Sequence, residues 1–186
     1  MVSALRSRPA VRAALVGGYV LAVEWFRALA AQVPVWTVVA LLLGGTALAV
    51  ATVGWSPAQL GLGTSRFWLR ILGGLALGAV LLLPAAARGG TAPLLPAGLA
   101  AAAVAVSIGE ELAFRGALYA ALDEIGGPPL AVAGSTLLWT LGHAFSHPLE
   151  FLGAVAAAGL LLALWRWACK DLVGPIVGHV IADLAL

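Results

Sequence analysis

Charge is distributed along this chain on the length scale of a bilayer. No side chain is charged from Ala28 to Ser65, from Ile71 to Ala87, from Leu94 to Ile108, or from Ile125 to Leu149. Proline and glycine punctuate these apolar runs. Pro34 and Pro57 bracket the second predicted helix, Gly126-Gly127-Pro128-Pro129 separates the fourth from the fifth, Pro148 follows His147, and Gly174-Pro175 opens the last helix. The pattern predicts helices over 11–31, 34–54, 67–87, 94–122, 128–145, 150–168 and 173–186, with 55–66 as an interfacial loop. A hydrocarbon core of about 30 Å needs about 20 apolar residues per crossing, so the expected fold class is all-α, a polytopic transmembrane bundle of about six to seven helices. The 186 residues then form a single integral-membrane domain, 1–186.

Composition narrows the picture further. Hydrophobic residues make up 62% of the chain and charged ones 10%, against about 25% charged in soluble domains. No repeat of repeat-protein length is visible, and Ala- and Gly-rich runs such as Ala100–Ala105 suit close helix packing. The basic residues are scattered between segments rather than clustered on a face, so nucleic acid is not an expected partner. The lone cysteine, Cys169, excludes an internal disulfide and a zinc site built on several thiolates. Trp25, Trp36, Trp55, Trp68, Trp165 and Trp167 fall near segment ends, where interfacial anchors belong. Asp123, Glu124, Glu150, Arg166, Lys170 and Asp171 read as solvated flanks.

The first segment has two readings. Arg6, Arg8 and Arg12 precede an apolar run, Ala13–Val23, and Ala28-Leu29-Ala30 follows, which fits a secretory signal. The bulky, charged Glu24-Trp25-Phe26-Arg27 fits instead a retained helix with Glu24 and Arg27 paired one turn apart. An N-terminus in the cytoplasm puts Arg6, Arg8, Arg12, Arg66, Arg70, Arg166 and Lys170 inside, with Arg27 and Arg88 outside, as the positive-inside rule favours. Small size and lean loops suit a bacterial inner membrane. This topology places His143 late in an outward-going helix, His179 early in another and Glu110 near mid-depth. For these three to meet, a helix must be short, broken or tilted.

The candidate chemistry lies in three polar clusters within apolar helices. A charge at the centre of a membrane helix costs roughly 2.5–3.5 kcal/mol, yet Glu110, Glu111 and Arg115 sit together. Glu111 and Arg115 are four apart and share a helical face. Glu110 points about 100° away, which leaves it as a free carboxylate suited to a general base. His143 lies one turn after Trp139, and His179 one turn before Asp183. His147, beside Pro148, reads as a loop polar group.

Glu-Glu-x-x-x-Arg, then aromatic-x-x-x-His, then His-x-x-x-Asp, in this order on apolar helices, resembles the CPBP family. These are the CAAX proteases and bacteriocin-processing enzymes, including the type II CAAX prenyl endopeptidases. The likeness runs over 56–186, and Leu60-Gly61-Leu62 before an Arg-bearing loop fits it as well. It implies an intramembrane endopeptidase acting on a membrane-associated peptide of CAAX or bacteriocin-leader type. Glu110 would activate a water, with Glu111 and Arg115 in support. His143 would bind that water or a metal, and His179 and Asp183 would complete the site as metal ligands or oxyanion stabilisers. Two cofactor readings follow: Zn²⁺ held by Glu110, His143 and His179, or a metal-independent Glu/His mechanism. His-Glu-x-x-His is absent. Trp139 stands where the family usually has Phe, a change expected to be absorbed by packing. Asp183 stands where some members have Asn, and an ionised Asp cannot donate to an oxyanion. It suits orienting His179 or binding a cation.

Two other function classes share these features. A non-catalytic membrane scaffold would use the polar cluster to fix helix packing and bind a partner. A proton or ion transporter would use it as a path, although no inverted repeat is visible.

Overall fold

Inside a bilayer every backbone polar group must be satisfied within the protein, which leaves helices as the default for these apolar runs. The structure, a computed structural model, describes residues 8–87, 89 and 94–185, and contains no strand among them. Helix α1 is Pro9–Ala31. A 3₁₀ turn, Pro34–Trp36, leads into α2, Thr37–Ala49, which ends in a second turn, Val50–Thr52. A short α3, Pro57–Leu60, precedes α4, Phe67–Ala87. Helix α5, Ala97–Glu110, passes into a π-helical segment, Glu111–Leu118, and on into α6, Tyr119–Gly142. After turns at His143–Phe145 and Leu149–Phe151 come α7, Leu152–Cys169, and α8, Val173–Ala185.

Five helical stretches are long and apolar enough to cross a membrane. One of them, Ala97–Phe145, has 49 residues. At 1.5 Å per residue it would measure about 73 Å, more than two hydrocarbon thicknesses. It doubles back instead. Gly126 (φ −137°, ψ 18°) and Gly127 (φ 67°, ψ −169°) leave helical geometry, and the positive φ is one that glycine adopts without strain. Pro128 and Pro129 then open the returning arm. The five stretches therefore make six crossings, with α8 a shorter seventh helix, as the apolar pattern predicts.

This hairpin resolves the depth problem. Glu110 precedes the Gly126-Gly127 turn by as many residues as His143 follows it, so both lie about 22–25 Å along their arms at 1.5 Å per residue. The returning arm is short, and its end sits at the level of Glu110.

Small residues set which helices touch. A Cβ on Gly109 of α5 would fall 2.0 Å from the carbonyl oxygen of Gly45 on α2, so the two backbones are in direct contact. On α4, Gly74 and Gly78 lie under Val177 and Ile181 of α8. The Tyr19 hydroxyl of α1 donates to Ala47 O of α2 at 2.6 Å, and Trp25 Nε1 to Leu141 O at 2.9 Å. Large apolar side chains face outward around the bundle, among them Phe26, Trp68 and Leu69, as lipid contact requires.

One end of the bundle departs from the sequence reading. The segment 55–66 is not a plain interfacial loop, because Ser56 and Gln59 form a reciprocal cap on α3 and Gly61 (φ 79°) ends it. The turn folds back beneath the helices, where Leu172 N donates to Gly61 O at 3.1 Å. Arg166 and Asp171, expected as solvated flanks, are buried as a result. Arg166 donates to Gln59 O at 2.9 Å and Arg115 O at 3.2 Å. Asp171 accepts from Val173 N, Gly174 N and Arg70, capping the buried first turn of α8. Glu24 and Arg27 pair within α1 as the spacing predicts. Arg6 and Arg88, used in the orientation count, lie outside the described residues.

Candidate active site

Polar side chains from four regions of the chain converge halfway along the bundle. Helix α1 supplies Glu24 and Arg27. Helix α5 and the π segment supply Ser107, Glu110, Glu111 and Arg115. Trp139 and His143 end the returning arm of α6, and α8 brings His179 and Asp183. Glu24, Glu110, Glu111 and Arg115 are each 1% exposed or less. The π segment begins right after Glu110. Such widened turns alter where side chains aim and recur at functional sites.

Glu110 is the first node. Its Oε1 accepts from Arg27 Nη2 at 2.8 Å, and its Oε2 accepts from Trp139 Nε1 at 2.5 Å. The same Arg27 nitrogen donates to Glu24 Oε2. Glu110 is therefore not the free carboxylate that the helical spacing suggests. The spacing addresses only partners on its own helix, and both donors arrive from others. His143 Nε2 stands 3.7 Å from Glu110 Oε2, too far for a direct hydrogen bond. His143 Nδ1 is 2.8 Å from Trp139 O. A carbonyl oxygen only accepts, so the neutral ring carries its proton on Nδ1 and leaves Nε2 bare.

Glu111 is the second node. Its Oε1 accepts from Arg115 Nη1 and from His179 Nδ1, both at 2.9 Å. Arg115 also donates to Gly159 O at 3.2 Å and lies over the Trp139 ring. His179 Nε2 is 3.4 Å from Asp183 Oδ2, which accepts from Ser107 Oγ at 2.7 Å. Both His179 nitrogens thus face carboxylate oxygens, and each satisfies its neighbour when it carries a proton.

Trp139 joins the two nodes. Its indole N–H binds Glu110, its face lies under Arg115, and its ring packs edge-on against His143 and His179 with centroids 4.6 and 5.6 Å away. The sequence reading treated it as packing in place of Phe. The structure corrects that, since Phe has no donor for Glu110. The larger ring is accommodated by Gly159, where a Cβ would come within 2.5 Å of it.

A catalytic zinc needs about three protein ligands turned on one point. Among the described residues no three His, Cys, Asp or Glu side chains are so arranged. His179 Nδ1 is engaged by Glu111 and its Nε2 lies 3.4 Å from Asp183, so this donor set as it stands does not fit the ion.

His147 stays at the rim. Its Nδ1 lies 2.9 Å from Ser146 Oγ, its ring stacks on Phe151, and His143 is 5.3 Å away between centroids. Partial burial, and then the neighbouring His143, hold its pKa below the usual histidine value. Three site residues escaped the sequence reading. Ser107 carries no motif. Arg27 was legible only as the partner of Glu24, and Glu24 only as the partner of Arg27.

A family model described as type II CAAX prenyl endopeptidase Rce1-like matches residues 92–185. That span holds every member of the two nodes except Glu24 and Arg27. No curated protein and no solved structure matches the chain.

Proposed function

The chain belongs to the type II CAAX prenyl endopeptidase Rce1-like family of membrane proteases, and we propose that it hydrolyses its peptide bond with a water held between Glu110 and His143. One observation carries this reading: His143 Nε2, on a ring whose Nδ1 is 2.8 Å from Trp139 O, stands 3.7 Å from Glu110 Oε2. Two acceptors at that spacing are within reach of a single water donating one O–H to each. Such a water is oriented and polarised for attack.

In the proposed reaction the water oxygen bonds to the carbonyl carbon and its proton passes to the Glu110–His143 pair. The tetrahedral intermediate then collapses. The C–N bond breaks, and the proton goes to the departing amine. Arg27 and Trp139 hold the Glu110 carboxylate in place. Glu111 and Arg115 anchor His179, and Asp183 orients it. The long His179 Nε2–Asp183 contact leaves that N–H able to turn toward a developing oxyanion, a donor of the kind worth about 10²–10³ in rate. The substrate is a membrane-associated peptide, of CAAX or leader type by family likeness.

The test compares new peptide termini in membranes expressing wild type or Glu110→Gln at equal folded levels. Turnover falls by about 10²–10⁴ if Glu110 works as a base. Unchanged termini would sink the proposal. A second reading, a scaffold of the same fold, draws on the double tethering of Glu110 by Arg27 and Trp139, which is also how a structural ion pair is built. It expects Glu110→Gln to lower stability while leaving every peptide terminus as it was.

A further inference from the structure

Arg166 is a buried cation without a counter-charge. It lies in the last turn of α7 and is 6% exposed. Its Nε and Nη2 donate to the carbonyl oxygens of Arg115 and Gln59, both neutral acceptors. The other buried arginines among the described residues, Arg27 and Arg115, each pair with a carboxylate. Arg12 and Arg70 engage Glu124 and Asp171, and no described carboxylate pairs with Arg166. Charges removed from water are ordinarily paired, so an anion is the natural complement of this guanidinium.

A cavity of about 250 Å³ lies against it, lined also by Trp55, Gln59, Tyr119, Asp123 and Lys170. The Tyr119 hydroxyl is buried and has no hydrogen-bond partner among the described residues. The Arg166 guanidinium sits over its ring, 5.1 Å from the centroid. Lys170, exposed, adds a second positive charge. The two lining carboxylates differ. Glu124 is neutralised by Arg12, which lies over Trp55 at 4.2 Å. Asp123 is exposed and forms no ion pair among the described residues. The cavity thus offers a seat for an oxyanion beside a seat for a cation. Its walls are the ends of elements: Lys170 follows α7, Trp55 precedes α3, and Asp123 comes just before the Gly126-Gly127 turn. Helix ends carrying tryptophan lie at the level of lipid headgroups.

We propose that this cavity binds a phosphate–amine zwitterion, the headgroup chemistry of phosphatidylethanolamine. The phosphate lies on Arg166, Tyr119 and Lys170, and the ammonium on Asp123. Guanidinium and phosphate match in shape and charge, and basic pockets between membrane helices hold headgroups. Free phosphate would answer Arg166 but set its charge against Asp123. Because Arg166 Nε also bonds Arg115 O, a ligand that orders Arg166 orders the π segment carrying Glu111 and Arg115. The assignment does not depend on the peptidase reading.

The test is native mass spectrometry of the delipidated full chain in detergent, titrated with phosphatidylethanolamine, phosphatidylglycerol or inorganic phosphate. Phosphatidylethanolamine should give one saturable adduct, tighter than phosphatidylglycerol, with inorganic phosphate competing weakly. Tyr119→Phe should weaken it about tenfold, the effect of one hydrogen bond to a charged group. That hydroxyl has no partner in the chain, so the lipid-free variant should unfold like wild type. Asp123→Asn, at an exposed position, should abolish the preference for the amine headgroup, and it decides alone should Tyr119→Phe misfold. Equal binding of the two lipids by the native chain, tighter binding of inorganic phosphate than of either, or unchanged affinities in both variants overturns the assignment.

Discussion

Arg27 is the residue whose removal tests the assembled site most directly, because it comes from a helix outside the family match and serves two carboxylates at once. Its Nη2 lies 2.8 Å from Glu110 Oε1 and also bonds Glu24. At that distance, and with an effective dielectric of about 20, one pair attracts by about 6 kcal/mol before desolvation is charged against it. Arg27→Met keeps the apolar stem and removes the guanidinium. Glu24 and Glu110, each 1% exposed, are then left buried without their cation. Breaking a buried pair from one side costs about 3–5 kcal/mol, and stability should fall by that much. Adding Glu24→Gln removes one stranded charge, so the double variant should recover about 0.5–3 kcal/mol relative to Arg27→Met alone. Unfolding followed by the helical signal in mixed micelles, with SDS as denaturant, gives both numbers. A loss below about 0.5 kcal/mol, the range of an inert surface change, would refute the reasoning. So would a double variant less stable than Arg27→Met.

Two further outcomes follow from the same geometry. Trp139→Phe should fold but lose about 1.5–3 kcal/mol, the worth of a hydrogen bond to a charged acceptor; an unchanged micelle unfolding curve would mean that the indole N–H does not bind Glu110. His147 has its pKa lowered in the folded state, so the unfolded chain binds its proton first as pH falls. Its neutral form therefore carries no penalty above the usual value of about 6.5, and the penalty grows as pH drops through the lowered pKa. His147→Gln should flatten that acid-side loss relative to wild type, and parallel stability profiles between pH 7 and the acid limb would contradict it.

What the chain discloses on its own is chiefly local. Charged residues in an apolar helix announce a buried polar site, and spacings of three or four residues announce Glu24–Arg27, Glu111–Arg115 and His179–Asp183. Each of these pairs forms. The links between helices are not written in any period. Arg27 and Glu110 are 83 positions apart, and they meet because Gly45 and Gly109 bring α2 against α5 while α1 packs against α2, the π segment and α6. An α-helical ruler also misplaces side chains beyond Glu110, where the backbone widens into π geometry. Arg166 looked like a flank because charges at helix ends usually are. Only the fold-back of Ser56–Gly61 shows that carbonyl oxygens await it.

The symmetric placement of Glu110 and His143 about the Gly126-Gly127 turn constrains how this chain can vary in length. One residue added to either arm of the hairpin would carry its side chain about 1.5 Å along and about 100° around the axis, parting the two groups. A matching addition in the other arm would restore their level but not their facing. Insertions are consequently unwelcome across more than thirty consecutive positions, from Glu110 to His143. The turn at its midpoint acts as the origin from which both groups are measured.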